Sequence, residues 1–326
     1  MRRVLLLATG DTIAFRHHYG PPSVAPGAEL VAALGSITLS VEVVAEDVIA
    51  EPSWDTSEAT QNALARRVRG AILDGGFDGV VVTHGVDTIV ETAFLTDLVA
   101  GRAATRGAIV FTGSVRCLDD PAGDGPADLD AAICAAADPA LRGIGAVICL
   151  GEELHAARWA RLTDVTRRSS LSSAPHPTLG RVSGGEVVVR AAPPVRPPRS
   201  VDAENKPAAE VALIKTYPGM PPTLLDAVVD AGARGIVLEG TGLGNVPVEL
   251  FATINGLSSA GIPVVVASRA VTTDTVPDLD CAMGMAAQLG AIHARGLAPE
   301  QARIAVSVVL RGGGDVEDVR GWFDRI

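Results

Sequence analysis

Hydrophobic positions along the chain fall into two kinds of run. Short, continuous, largely β-branched runs occur at 4–8 ("VLLLA"), 41–45 ("VEVVA"), 79–83 ("GVVVT"), 108–112 ("AIVFT") and 146–150 ("AVICL"). Between them lie longer amphipathic stretches such as "TSEATQNALARRVRGAIL" and "DTIVETAFLTDLV". Continuous apolar strands alternating with helices predict a parallel sheet covered on both faces. The pattern breaks at 191–210, "AAPPVRPPRSVDAENKPAAE", where clustered prolines and charges can continue neither a helix nor a central strand. It resumes with apolar runs at 211–216, 235–239 and 262–268, and with helical patterns at "APEQARIAVSVVL" and "GDVEDVRGWF". The expected architecture is α/β. A larger N-terminal doubly wound parallel-sheet domain spans 1–190, a linker 191–210, and a smaller C-terminal α/β domain 211–326. No internal repeat is evident.

Doubly wound sheets bind ligands beyond the carboxyl ends of their strands. That geometry nominates "TGDT" after the first strand, "EPSWDT" after the second, "THGVDT" after the third and "FTGSVR" after the fourth. "EGTGLGN" follows a strand of the second domain. The third turn is odd, because it sets an inert side chain, Val86, between a glycine and an aspartate.

Composition narrows the function classes. The chain has 326 residues, 48% hydrophobic and 20% charged, which suits a globular protein with a sizeable core. Aromatic residues are only 3%, so that core must come from Val, Ile, Leu and Ala. A net charge of −11 argues against a nucleic-acid partner. No stretch approaches the ~18 apolar residues of a membrane span, and the N-terminal apolar run is too short for a signal sequence. The expectation is a cytoplasmic protein with no membrane partner. Cys117, Cys134, Cys149 and Cys281 are widely spaced and read as reduced structural thiols.

Several chemistries lack their signatures. "ATGDTIAF" has one glycine where a dinucleotide fingerprint needs three, and "GTGLGN" lacks the full spacing. There is no Walker lysine motif, no G-x-S-x-G elbow and no H-E-x-x-H, so neither a cofactor nor a metal is expected. "DDPAGD" (119–124) reads as a solvated acidic turn before a cation loop. Taken alone, Thr12 reads first as a turn or N-cap threonine; as a nucleophile it would need a base and an oxyanion hole. Thr88 fits the capping box "TIVE" (88–91), which would leave the Asp87 carboxylate free for a ligand amine.

The joint pattern says more than its parts. "ATGDTIA", "VVTHGVDTIVETA", "IVFTGSVR" with "DGPADLDAA", and "EGTGLGN" occur in this order over nearly the whole chain. Together they resemble the bacterial-type L-asparaginase/glutaminase family. The resemblance implies hydrolysis of the side-chain amide of asparagine, and often glutamine, without a metal. Thr12 matches the attacking threonine, which would form an acyl-enzyme. Tyr19, in "FRHHYGPP", matches a lid tyrosine that assists it. Ser53 matches the serine that grips the substrate α-carboxylate, and Asp87 the aspartate that binds the α-amino group. Asn245 matches an asparagine contributed by a neighbouring subunit, which implies a homo-oligomer, dimer or tetramer. Backbone N–H groups of Gly10 to Thr12, or of Gly85, are the candidate oxyanion donors.

The chain also departs from that pattern. "TGGTI" in the family is "TGDTI" here, so Asp11 places a carboxylate beside the nucleophile. Trp54 follows the substrate-binding serine where a small polar residue is usual. Val86 stands in place of the second catalytic threonine. The matching lysine falls in "AARWARLTD", where Arg161 is the best counterpart, and arginine is a poor general base. The trans-acting acid has no clear match; Asp278 and Asp280 are the candidates. Three outcomes stay open: an amidase relying on Thr12, Tyr19 and an acid, an enzyme moved to a related small amide, or a small-molecule binding homologue without turnover.

Overall fold

The computed structural model describes residues 1–34, 41–49, 51–194, 210–271 and 284–326. The chain divides into two compact units, 1–196 and 197–326.

The first unit contains β1 (Arg2–Ala8), β2 (Phe15–Arg16), β3 (Ser23–Val24), β4 (Val41–Asp47), β5 (Gly79–Thr83), β6 (Ala108–Thr112), β7 (Ala146–Leu150), β8 (Glu153–Ala156), β9 (Arg161–Leu162), β10 (Leu171–Ser172), β11 (Gly180–Ser183) and β12 (Glu186–Val189). Its helices include α1 (Gly27–Ala32), α2 (Glu58–Leu73), α3 (Ile89–Ala100), α4 (Ala103–Arg106) and α5 (Gly125–Ala137). Eight strands form one sheet in the order β12-β11-β8-β7-β6-β5-β1-β4. The five strands from β7 to β4 are mutually parallel, as the apolar runs predict. The other three, β8, β11 and β12, extend the sheet antiparallel.

Strand periodicity distributes the core. Val4, Leu6, Val81, Val110 and Val147 face one layer with Leu129 and Ile133 of α5. Leu5, Leu7, Val80, Val82, Ile109 and Phe111 face the other with Leu64 and Val68 of α2 and Val90 and Ala93 of α3. Successive side chains point to opposite faces, so a strand buried on both must be apolar throughout. Each fully buried Leu or Val contributes about 1.5–3 kcal/mol. Chain order reverses around β1, which sits between β4 and β5, with Ala8 level with Asp47 and Leu7 level with Val82. The turns leaving β1, β4 and β5 therefore emerge together at one sheet edge.

The second unit has a parallel sheet of β13 (Val211–Lys215), β14 (Gly235–Gly240), β15 (Val264–Ser268) and β16 (Ile292–His293), in that order. Helices α6 (Thr223–Asp230) and α7 (Phe251–Ser259) belong to it, as do the helices Pro299–Arg311 and Val316–Phe323. Ile236, Leu238, Leu250, Ile254, Val264 and Val266 build its core. Most of the 191–210 linker, and with it Asp278, Asp280 and Cys281 further on, lies outside the described residues. No helix among the described residues is long and apolar enough to cross a membrane.

One buried carboxyl in the first unit titrates near neutrality. Asp128 on α5 is fully buried; its Oδ1 accepts from the Gly151 N–H at 2.9 Å, and Arg168 lies 3.4 Å away. Its Oδ2 is buried without a hydrogen-bond partner. Burial pushes the carboxyl up to about 7, against the pull of Arg168. A raised folded-state pKa stabilises the fold while the group is protonated. That contribution is complete below about pH 4 and is lost as pH rises through about 7. Unfolding free energy from urea titrations should fall across that window, by roughly 4 kcal/mol at most. Asp128→Asn, which cannot ionise, should flatten the fall; an unchanged pH profile in the variant would contradict the assignment.

Candidate active site

Three turns at the carboxyl edge of the sheet are tied into one unit. After β1, the Thr9 N–H donates to Thr83 Oγ1 at 3.2 Å and the Thr9 hydroxyl donates to the Thr83 carbonyl at 2.6 Å. This fixes the first turn to the end of β5. The second turn, carrying Ser53, is fixed to the first by the Ser53 N–H, which donates to Asp11 Oδ2 at 2.7 Å. The third closes on the second: the Thr88 hydroxyl donates to the Ser53 carbonyl at 2.9 Å. Thr88 stands at the N-cap position of α3, yet its side chain makes no capping bond to the helix. The capping-box expectation is thus corrected, because the hydroxyl is committed to joining two turns.

Asp11 is the centre of this arrangement. Its Oδ1 accepts the Thr12 N–H at 2.7 Å and the Thr12 hydroxyl at 3.0 Å. Its backbone sits at φ 65°, ψ −166°, a region that is nearly glycine-only and costs about 1–3 kcal/mol for other residues. Gly85 lies against the same carboxylate. A Cβ built on it would overlap both Asp11 Oδ2 and Ser53 Oγ. The Ser53 hydroxyl is buried and has no hydrogen-bond partner. Four groups therefore surround the Asp11 carboxylate: the Thr12 amide, the Thr12 hydroxyl, the Ser53 amide and the Ser53 side chain.

His84, fully enclosed, props the third turn. Its N–H donates to the Thr112 carbonyl at 2.7 Å, and its ring Nδ1 lies 2.8 Å from the Gly85 carbonyl, which makes Nδ1 the protonated nitrogen. Burial lowers its pKa, so the ring is neutral. Val86, 7% exposed, belongs to the apolar cluster formed with Leu5, Leu7, Val82 and Ile89. Its aliphatic side chain is satisfied there, where a hydroxyl would need a partner. Asp87 follows it, exposed just ahead of α3; among the described residues its carboxylate makes no hydrogen bond.

Tyr19 is 77% exposed, in the loop of the β2–β3 hairpin. That loop is pinned by Asp119, whose carboxylate accepts the N–H groups of His17, His18 and Tyr19. The partner of the Thr12 hydroxyl is Asp11 and not Tyr19. Trp54 is 68% exposed beside Ser53. Arg161 lies in β9, level with Ser172, and the adjacent Leu162 packs on the cluster that holds Val86. Asn245 belongs to the second unit, exposed in the loop after β14, where its N–H donates to the Thr241 carbonyl at 2.7 Å. Among the suggested oxyanion donors, the Thr12 N–H is already taken by Asp11.

The acidic turn at 119–124 is not merely solvated. Asp120 accepts the Ala122 N–H and Asp124 accepts those of Val115 and Arg116, so these acids order the loop. His17, His18 and Asp119 bring potential metal-ligand atoms within 4.8 Å of one another, but the aspartate is already occupied by three backbone donors. Cys117, Cys134 and Cys149 are free thiols.

Known proteins share this frame. A family model described as Asparaginase, N-terminal, matches residues 3–195, and one described as Glutaminase/Asparaginase C-terminal domain matches 210–323. A probable L-asparaginase of Deinococcus radiodurans is 31% identical over 328 residues, covering 98% of this chain and 97% of that protein. The L-asparaginase of Bacillus licheniformis is 28% identical over 314 residues, covering 95% of each. A subunit of the glutamyl-tRNA(Gln) amidotransferase of Aeropyrum pernix is 28% identical over 335 residues, 99% of this chain and 78% of that one. The crystal structure of a probable cytoplasmic L-asparaginase from Campylobacter jejuni matches with a TM-score of 0.85 at 24% identity over 99% of both chains, which establishes the common fold.

Proposed function

Because this chain belongs to the asparaginase/glutaminase family, we propose that it hydrolyses a small primary amide to the acid and ammonia, with Thr12 as nucleophile. The observation that carries this reading is the 3.0 Å hydrogen bond from the Thr12 hydroxyl to Asp11 Oδ1. A nucleophilic hydroxyl needs a base within hydrogen-bond reach, and this carboxylate is the one that has it. Thr12 Oγ attacks the amide carbon as its proton passes to Asp11. The tetrahedral adduct collapses as the proton moves to the leaving nitrogen, releasing ammonia and leaving an acyl-threonine. Water then attacks the ester carbon, and Thr12 recovers its proton.

Ser53, Gly85 and Asp87 form the substrate side of the site in this reading. Tyr19, on its exposed loop, meets the substrate from outside, and Trp54 supplies an apolar surface beside Ser53. Arg161 and Val86 form no threonine–lysine relay, and Asp11 replaces it. Asn245 completes the site of a neighbouring copy, so the working protein is a homo-oligomer. A second reading, a binding homologue without turnover, draws on the apolar burial of Val86.

One experiment separates the two. Purified protein is given L-asparagine, L-glutamine, their D-isomers, β-aspartyl amides and simple primary amides, and ammonia is measured. Release from at least one amide is expected, and sedimentation should give a mass of two or four chains. No release from any of them would leave the binding reading.

A further inference from the structure

We propose that Asp11 is a built-in occupant of a carboxylate site, and that the natural substrate is therefore an amide without a carboxylate next to its amine-bearing carbon. The inference rests on the amidohydrolase reading for the reacting group, but not for the cradle itself.

The cradle is visible because the protein fills it. The Asp11 carboxylate receives the Thr12 N–H, the Thr12 hydroxyl and the Ser53 N–H at 2.7, 3.0 and 2.7 Å. Gly85 approaches so closely that no Cβ fits between its backbone and this carboxylate. The Ser53 hydroxyl, on a residue only 3% exposed, borders the same space with its own hydrogen bond unmade. Two backbone amides and two hydroxyls around one small volume are the donor set a carboxylate requires. Asp11 is held there at φ 65°, in backbone that disfavours any side chain, so its contacts outweigh the strain. A second carboxylate arriving from solvent would find three of the four donors engaged and a like charge in their midst. Asp87, exposed two residues beyond Gly85, adds a further acid near the turn. An amine-bearing or neutral amide suits this environment, whereas an α-amino acid amide must displace Asp11 first. For asparagine, the analogue that lacks only the offending group is 3-aminopropanamide.

Asp11→Gly tests the idea, since glycine fits the backbone and empties the cradle. The probes are the corresponding acids, L-aspartate and 3-aminopropanoate, which differ by one carboxylate and undergo no turnover. Calorimetric titration of the native protein should find 3-aminopropanoate the tighter ligand. In Asp11→Gly the order should reverse, with L-aspartate binding at least about tenfold tighter than it does to the native protein. L-Aspartate binding equally well to both proteins, or to neither, would overturn the proposal. Native protein alone offers a second check, because tight saturable L-aspartate binding to it also refutes an occupied cradle. If no amide yields ammonia while the titrations reverse as expected, the hydrolase reading fails and the carboxylate site stands.

Discussion

Thr12→Ala should reduce ammonia release by at least about 10³-fold while the protein stays folded. The hydroxyl is the only atom of the side chain placed to attack, and it is the one that Asp11 Oδ1 accepts at 3.0 Å. Alanine keeps the backbone N–H that also donates to Asp11, so the first turn retains its 2.7 Å anchor. Losing one hydroxyl hydrogen bond costs about 1 kcal/mol of stability, which denaturant titration would resolve. Thr12→Ser restores a hydroxyl and should recover a measurable part of the turnover. A Thr12→Ala protein as active as the native one would return Thr12 to the role of a turn residue.

Gly85→Ala should be nearly as damaging to activity, for a reason of space alone. Gly85 does not adopt a positive φ, so alanine suffers no backbone penalty there. Its methyl group would instead run into Asp11 Oδ2 and Ser53 Oγ. Both atoms belong to side chains, so the fold can yield by moving them. What it loses is the 2.7 Å bond from the Ser53 N–H to Asp11, a bond to a charged group worth about 1.5–3 kcal/mol. Displacing the carboxylate also uncouples it from Thr12. The expected result is a loss of stability on the order of 2 kcal/mol and a fall in kcat of at least about 10²-fold. Unfolding curves and single-substrate kinetics on the same preparation measure both, and native kinetics in this variant would move the chemistry away from these turns.

Much of the frame is legible in the chain. The runs at 79–83, 108–112 and 146–150 are strands β5, β6 and β7 with those bounds, because a strand buried on both faces leaves an uninterrupted apolar signature. The antiparallel strands β8, β11 and β12 leave no such mark. β8 and β11 are four residues long and interleave polar with apolar positions, while the three valines of β12 form a run that is mostly exposed and too short to mark a strand buried on both faces. The nomination of Thr12, Ser53, Gly85 and Asp87 follows from strand-end geometry and the family motifs. Val86 raises a question that burial answers: it serves the core, where a valine needs no partner.

What the sequence determined by itself was therefore the parallel core, the carboxyl-edge turns and the family, since each depends on local periodicity or on short motifs. The tertiary structure alone decided which atoms those turns bring together. That Thr88 joins Ser53 instead of capping its helix, and that Asp11 reaches across to the Ser53 amide 42 residues away, are outcomes of three loops meeting at one sheet edge. Hydrogen bonds are fixed by distances of a few tenths of an ångström, and such distances exist only once the strands beneath the loops are in register.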